Sequence, residues 1–225
     1  MSNTKLKNKP LILINFKTYP QVSGNKSLSL AQKISTVKSK KYQIAIAPPT
    51  LYLKDIKTNV NLPIFAQHLD PESEGAHTGH VIPHEAKLLG LTGTLLNHSE
   101  KKLSFQTLEV TVHACKHHGL TTIVCASSLA EIKKIAPLHP NYLAYEPSKL
   151  IGGTISVTNA KPEIIQQAVK LVHILCPKTK VLCGAGVHTR EDLLRALKLG
   201  ASGILIGHAV PKAKNPVKFL REMLL

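Results

Sequence analysis

Eight short apolar runs, each followed by a stretch whose hydrophobic spacing is helical, constrain the fold of this chain more than any other feature. They are Leu11–Asn15, Gln43–Ala47, Ile64–Gln67, Gly93–Asn97, Thr121–Cys125, Asn141–Glu146, Lys180–Cys183 and Gly203–Ile206. Continuous rather than alternating apolar character means that both faces of each strand are to be buried, which is the pattern of a parallel sheet. The intervening segments read as helices. Over Ser104–His118, Phe105, Leu108, Val112 and Cys115 repeat on one face, and Gly119 stands where a C-terminal cap belongs. Between Thr189 and Leu199, Thr189 and Asp192 form a capping pair, Leu193, Leu194 and Leu197 supply the apolar stripe, and Gly200 ends it. Another helix is expected from about Pro162-Glu163.

Eight strand–helix units joined by right-handed crossovers close most simply into a (β/α)8 barrel, and 225 residues suit one such domain. An open doubly wound α/β sheet is the alternative. Its glycine-rich dinucleotide turn is missing after the first strand, where Asn15-Phe16-Lys17 stands instead. The expected organisation is a polar, Lys-rich tail over residues 1–10 and a barrel over residues 11–225. No apolar stretch approaches the roughly 18 residues of a membrane span, and the run after the tail is too short for a secretory signal. A soluble, cytoplasmic protein is expected. The four cysteines, Cys115, Cys125, Cys176 and Cys183, have no C-x-x-C spacing and are read as reduced thiols.

In barrels of this kind chemistry collects at the carboxyl ends of the strands. Polar residues converge there: Asn15 and Lys17, Gln67, Asn97 and His98, Glu146, Gly184 and Gly186, and Gly207. Each alone has a plainer reading. Lys17 is then a solvated charge, and Ser99 and Glu100 cap the next helix, whose amino end would hold His98 neutral. Glu146-Pro147 is then a turn, and the glycines are packing positions. The functional reading is that Glu146, after the apolar strand Tyr142–Tyr145, is a general base whose pKa is raised by burial. The long loop Pro147–Thr158 that follows is expected to be a lid, with Gly152-Gly153 allowing close approach of amides to a phosphate.

Taken in order, four segments resemble the triosephosphate isomerase family along nearly the whole chain. They are Asn15-Phe16-Lys17-Thr18-Tyr19, Ala76-His77-Thr78-Gly79-His80, Asn97-His98-Ser99-Glu100 and Ala144-Tyr145-Glu146-Pro147. Cys183-Gly184-Ala185-Gly186 and the short chain are similar to the compact archaeal-type branch of that family. The resemblance implies interconversion of dihydroxyacetone phosphate and D-glyceraldehyde 3-phosphate, in glycolysis and gluconeogenesis, with neither cofactor nor metal. It implies Glu146 as base, neutral His98 as the group polarising the carbonyl, and Lys17 as the charge facing phosphate and oxyanion. Asn15 would orient the substrate, with Asn97, Ser99 and Glu100 supporting this set and Glu100 pairing with Lys17.

By the same resemblance Ile151, Gly153 or Thr154, Gly184, Ala185, Gly186, Gly207 and His208 are the phosphate-side contacts. Two departures stand out. The family's lid reads Gly-Thr-Gly where this chain has Gly152-Gly153-Thr154, and His208 stands where the family has a small residue. A homodimer or homotetramer is implied, with the loop around Thr78 at the interface.

The net charge of +16, from 29 Lys and Arg against 13 Asp and Glu, favours capture of an anionic substrate. With no Trp and nine Phe and Tyr, the chain lacks the aromatic platforms of a nucleic-acid binder, so weak, non-specific contact is the most to expect. His113 and His117 share a helix face at i, i+4 without a nearby carboxylate, and a solvated face is the plainer reading than a metal site. The competing functions are another phosphate-binding barrel enzyme, which need not carry His and Glu at strands four and six, and a basic barrel with secondary nucleic-acid binding.

Overall fold

The computed structural model describes residue 6 and residues 8–147, 162–184 and 186–225. Its strands are β1 (Leu11–Asn15), β2 (Gln43–Ala47), β3 (Phe65–Ala66), β4 (Gly93–Leu96), β5 (Thr121–Ala126), β6 (Tyr142–Tyr145), β7 (Lys180–Cys183) and β8 (Gly203–Ile206). All pair in parallel in the order β2-β1-β8-β7-β6-β5-β4-β3, and a bridge between Ile46 and Ile64 brings β2 to β3, closing the ring. The helices among the described residues are α1 (Asn25–Ser35), α2 (Leu53–Asn59), α3 (Pro83–Leu88), α4 (Phe105–His117), α5 (Leu129–Ile135), α6 (Pro162–Leu175), α7 (Arg190–Lys198) and α8 (Pro216–Leu224). This is the (β/α)8 barrel.

The continuous apolar runs have the cause inferred for them. Leu11 and Leu13 of β1 pack inward with Ala45, Phe65, Leu95, Ile123, Tyr142, Leu182 and Leu205, filling the barrel. Ile12 and Ile14 point the other way, into the layer between strands and helices. Each Leu or Ile so buried stabilises the fold by about 1.5–3 kcal/mol relative to exposure. Leu6 of the tail packs against the inner layer as well.

Three local expectations change. The third strand is two residues long, not four: Ile64 makes an isolated bridge to Ile46, and the Gln67 side chain bonds the Ala47 carbonyl beside the Phe16 amide, Nε2 to O at 3.0 Å. On α4 and α7, Phe105 is 45% and Leu194 40% exposed, so the core faces run through Thr111 and Ala196 instead. The helix after His98 begins at Phe105 with Ser104 as its N-cap, so Ser99 caps nothing. The Thr189–Asp192 capping box is present in full. Gly119 and Gly200 end α4 and α7 with φ of 65° and 94°, the left-handed conformation that suits glycine.

All four cysteines are buried, with no disulfide among them. Among the described residues no helix is long and apolar enough to cross a membrane. Nor, among them, is any group of three His, Cys, Asp or Glu arranged to hold a metal ion.

Candidate active site

The carboxyl ends of β1, β4, β6, β7 and β8 surround one pocket, lined by Asn15, Lys17, His98, Glu146, Gly184, Gly186, Gly207 and His208, together with Val187, His188 and Ala209. The strand-end residues singled out in the sequence are therefore brought together, apart from Gln67 and Asn97, which act from outside. Val187, His188 and Ala209 had not been anticipated.

Lys17 enters the pocket from a strained backbone, φ 51°, the left-handed region that a residue with a Cβ adopts only when held there. Two side chains hold it. Asn15 Oδ1 accepts the Lys17 amide at 3.0 Å, and Gln67 Nε2 donates to the Lys17 carbonyl at 3.0 Å. The ammonium then meets Glu100, Nζ to Oε1 at 2.6 Å. Burial disfavours that ammonium, but the hydrogen bond and charge of Glu100 outweigh it and hold the Lys17 pKa above the ordinary lysine value.

His98 follows Asn97, another non-glycine residue of positive φ, 57°. The buried Asn97 carboxamide ties three segments together. Its Nδ2 donates to the Cys125 carbonyl at 2.9 Å and to Glu131 at 2.8 Å, while its Oδ1 accepts the Leu103 amide at 3.1 Å. The Glu100 amide donates to His98 Nδ1 at 3.2 Å, which requires an unprotonated Nδ1 and leaves the proton on Nε2 of a neutral ring. A helix end was expected beside His98; a single amide in a tight turn closed by Lys101 N–H to the His98 carbonyl, 2.8 Å, stands there instead. Ser99 is half-buried in the same turn.

Glu146 is buried, its amide donating to the Ala126 carbonyl at 2.8 Å. Its Oε2 has no hydrogen-bond partner among the described residues and lies 3.6 Å from His98 Nε2. Burial raises the carboxyl pKa and dominates, although His98, the Cys125 thiol and Lys17 favour the charged form. Gly184 presses on the same side chain: a Cβ there would fall 2.3 Å from Glu146 Cγ. Thus a carboxylate with a raised proton affinity and a free oxygen faces an imidazole N–H, with an ammonium on the third side.

The phosphate-side assignments divide. Gly184, Gly186, Gly207 and His208 line the pocket, whereas Ile151, Gly153, Thr154 and Ala185, with the expected lid, lie outside the described residues. Thr78 is not in this pocket. It is exposed, in a loop whose base is joined by Asp70, which donates its backbone amide to the Val81 carbonyl at 2.9 Å and accepts the Val81 amide on Oδ2 at 2.7 Å.

A family model described as triosephosphate isomerase matches residues 10–223. The chain belongs to the triosephosphate isomerase family. Its relatives in that family include the triosephosphate isomerase of Methanocaldococcus jannaschii, 42% identical over 95% of this chain and 98% of that one. Those of Methanothermus fervidus and Methanobrevibacter smithii are 38% and 36% identical, each over 96% of this chain and 98% of the relative. The relatives come from methanogenic archaea, in keeping with the compact archaeal-type branch to which the motifs pointed.

Proposed function

We propose that this member of the triosephosphate isomerase family interconverts dihydroxyacetone phosphate and D-glyceraldehyde 3-phosphate, as a one-domain cytoplasmic enzyme of glycolysis and gluconeogenesis. The observation that carries this reading is the 3.6 Å approach of His98 Nε2 to the free Oε2 of Glu146, with Lys17 lining the same pocket.

Glu146 takes a proton from the carbon beside the substrate carbonyl, and the electron pair moves onto the carbonyl oxygen to give an enediolate. His98, neutral with its proton on Nε2, donates a hydrogen bond to that oxygen and passes protons between the two oxygens. The proton on Glu146 returns to the neighbouring carbon. Burial of the base serves this cycle, because a pKa raised toward the working pH makes both removal and return of the proton feasible. Lys17 supplies positive charge to the phosphate and the oxyanion, oriented by Glu100, while Asn15 fixes the loop that carries Lys17. Gly186 and Gly207, after β7 and β8, offer backbone amides to the phosphate, whereas the Gly184 amide is taken by the Tyr145 carbonyl at 3.0 Å. No cofactor or metal enters these steps.

The exposed loop around Thr78 is assigned to a contact with a second copy in a homodimer or homotetramer. Contact with nucleic acid, if the basic surface makes any, is weak and sequence-independent.

Isomerisation of dihydroxyacetone phosphate in deuterium oxide tests the proton transfer. The aldose formed should carry deuterium on the carbon next to its carbonyl, since the base exchanges its proton with solvent. Absence of isomerisation would remove this function from the chain.

A further inference from the structure

Two histidines outside the proton-transfer set stand together in the pocket. His188 follows β7 just ahead of α7, and His208 follows Gly207 at the end of β8. Their ring centroids are 5.1 Å apart with planes inclined by 53°, and both rings belong to residues lining the pocket with Lys17, Gly186 and Gly207. Barrel closure, not sequence proximity, brings them together.

Two imidazoles this close oppose charge on each other, since a proton on one repels a proton on the other. Around His208, burial weighs first against the charged ring, followed by His188, Lys212 and Lys17, and together these lower its pKa. Glu146 and His98 line the same pocket. Asp192, at the start of α7, accepts the backbone amides of His188 and Thr189 at 3.0 and 3.1 Å. Lys212 donates its own amide to the His208 carbonyl at 3.0 Å. A dianion at the rings would reverse the balance, because it attracts the protonated form that the neighbours disfavour.

We propose that the side chains of His188 and His208 form an imidazole grip on the substrate's phosphate, and that binding of a dianion in this pocket draws a proton onto the pair. The proposal rests on the phosphorylated substrate of the function proposed above and adds side-chain contacts to the loop amides. It makes the pocket selective for a dianion over a neutral or singly charged group. Anion binding accordingly tightens as pH falls.

Sulfate is the suitable probe, since it keeps both charges where a phosphate monoester titrates, near a pKa of about 6. Its affinity for the whole protein is measured by calorimetry between about pH 5.5 and about pH 8, the range in which imidazoles titrate, in buffers of different ionisation heat. The expected result is affinity rising with acidity, up to about tenfold per pH unit for one proton taken up, with a heat that depends on the buffer. His188→Gln and His208→Gln should each flatten this dependence. Ring resonances of the unsubstituted protein, followed by NMR, should titrate at higher pH with sulfate than without, a readout that needs no variant to fold.

Glu146→Gln identifies the proton acceptor. A dependence that persists in this variant supports the pair, and one that disappears with Glu146 overturns it, as does a pH-independent affinity in the unsubstituted protein. Turnover of the triose phosphates with flat sulfate binding sinks the grip alone. Proton-linked sulfate binding without turnover sinks the isomerase reading alone.

Discussion

Replacing Gly184 with Ala drives a methyl group into the side chain of Glu146. The added Cβ falls 2.3 Å from Cγ and 2.9 Å from Cδ of that residue. Carbon atoms rest at about 3.5 Å or more, so the arm bearing the carboxylate must retreat by about 1.2 Å. The β-strand below it is held on both sides by parallel neighbours, which leaves the side chain as the part that moves. A displacement of this size at a reacting group costs about 10²-fold in rate, equivalent to about 2.7 kcal/mol of barrier. Overpacking of about 1–3 kcal/mol would also lower the melting temperature by about 2–12 °C for a chain of this size. Steady-state kinetics in both directions, with a melting curve on the same preparation, provide the check. The expected variant is folded, with kcat down about 10²-fold and KM little changed, because Lys17 and the loop amides still hold the substrate. A folded Gly184→Ala protein with unaltered kcat would show that Glu146 is not the base, or that its position does not matter.

Glu146→Asp withdraws the carboxylate by about one ångström without touching Gly184 and should also cost about 10²-fold in kcat; unchanged turnover would point to another base. The acid limb of the kcat/KM profile should lie above the ordinary carboxylate range, because burial raises the Glu146 pKa and the protonated residue cannot accept a proton. Stability follows with a definite sign: a carboxyl raised on folding adds its full contribution below its unfolded pKa and loses it as pH rises through the folded value. The melting temperature of Glu146→Gln relative to the unsubstituted protein should therefore climb between about pH 4 and about pH 8, and a constant difference would count against a raised pKa. Thr189→Ala removes one arm of the capping box on α7 and should cost about 1 kcal/mol, or about 2–4 °C in melting temperature, with activity retained.

The sequence carried the barrel because burial on both faces leaves a distinctive mark: Ile12 and Ile14 outside and Leu11 and Leu13 inside read as one unbroken run. Lys17, His98 and Glu146 were legible for a related reason, since a polar residue closing such a run has few places to be except the strand's carboxyl end. What distance in sequence hides is apposition. His188 reads as a loop residue, and its position against His208 depends on how β7 and β8 close the ring. Helical spacing likewise named Phe105 and Leu194 as core residues, yet hydrophobicity alone does not set the angle at which a helix meets the sheet. An amide beside His98 was expected from a helix end, but the Glu100 amide that meets its Nδ1 belongs to a turn and not to the helix beginning five residues later.

The account turns on whether this pocket moves a proton between adjacent carbons of a triose phosphate. A coupled assay on the purified protein, run from dihydroxyacetone phosphate and from D-glyceraldehyde 3-phosphate, tests that directly. Turnover in both directions, abolished by Glu146→Gln in a protein that still folds, is the predicted result. No turnover in either direction, or undiminished turnover without the carboxylate, would contradict it.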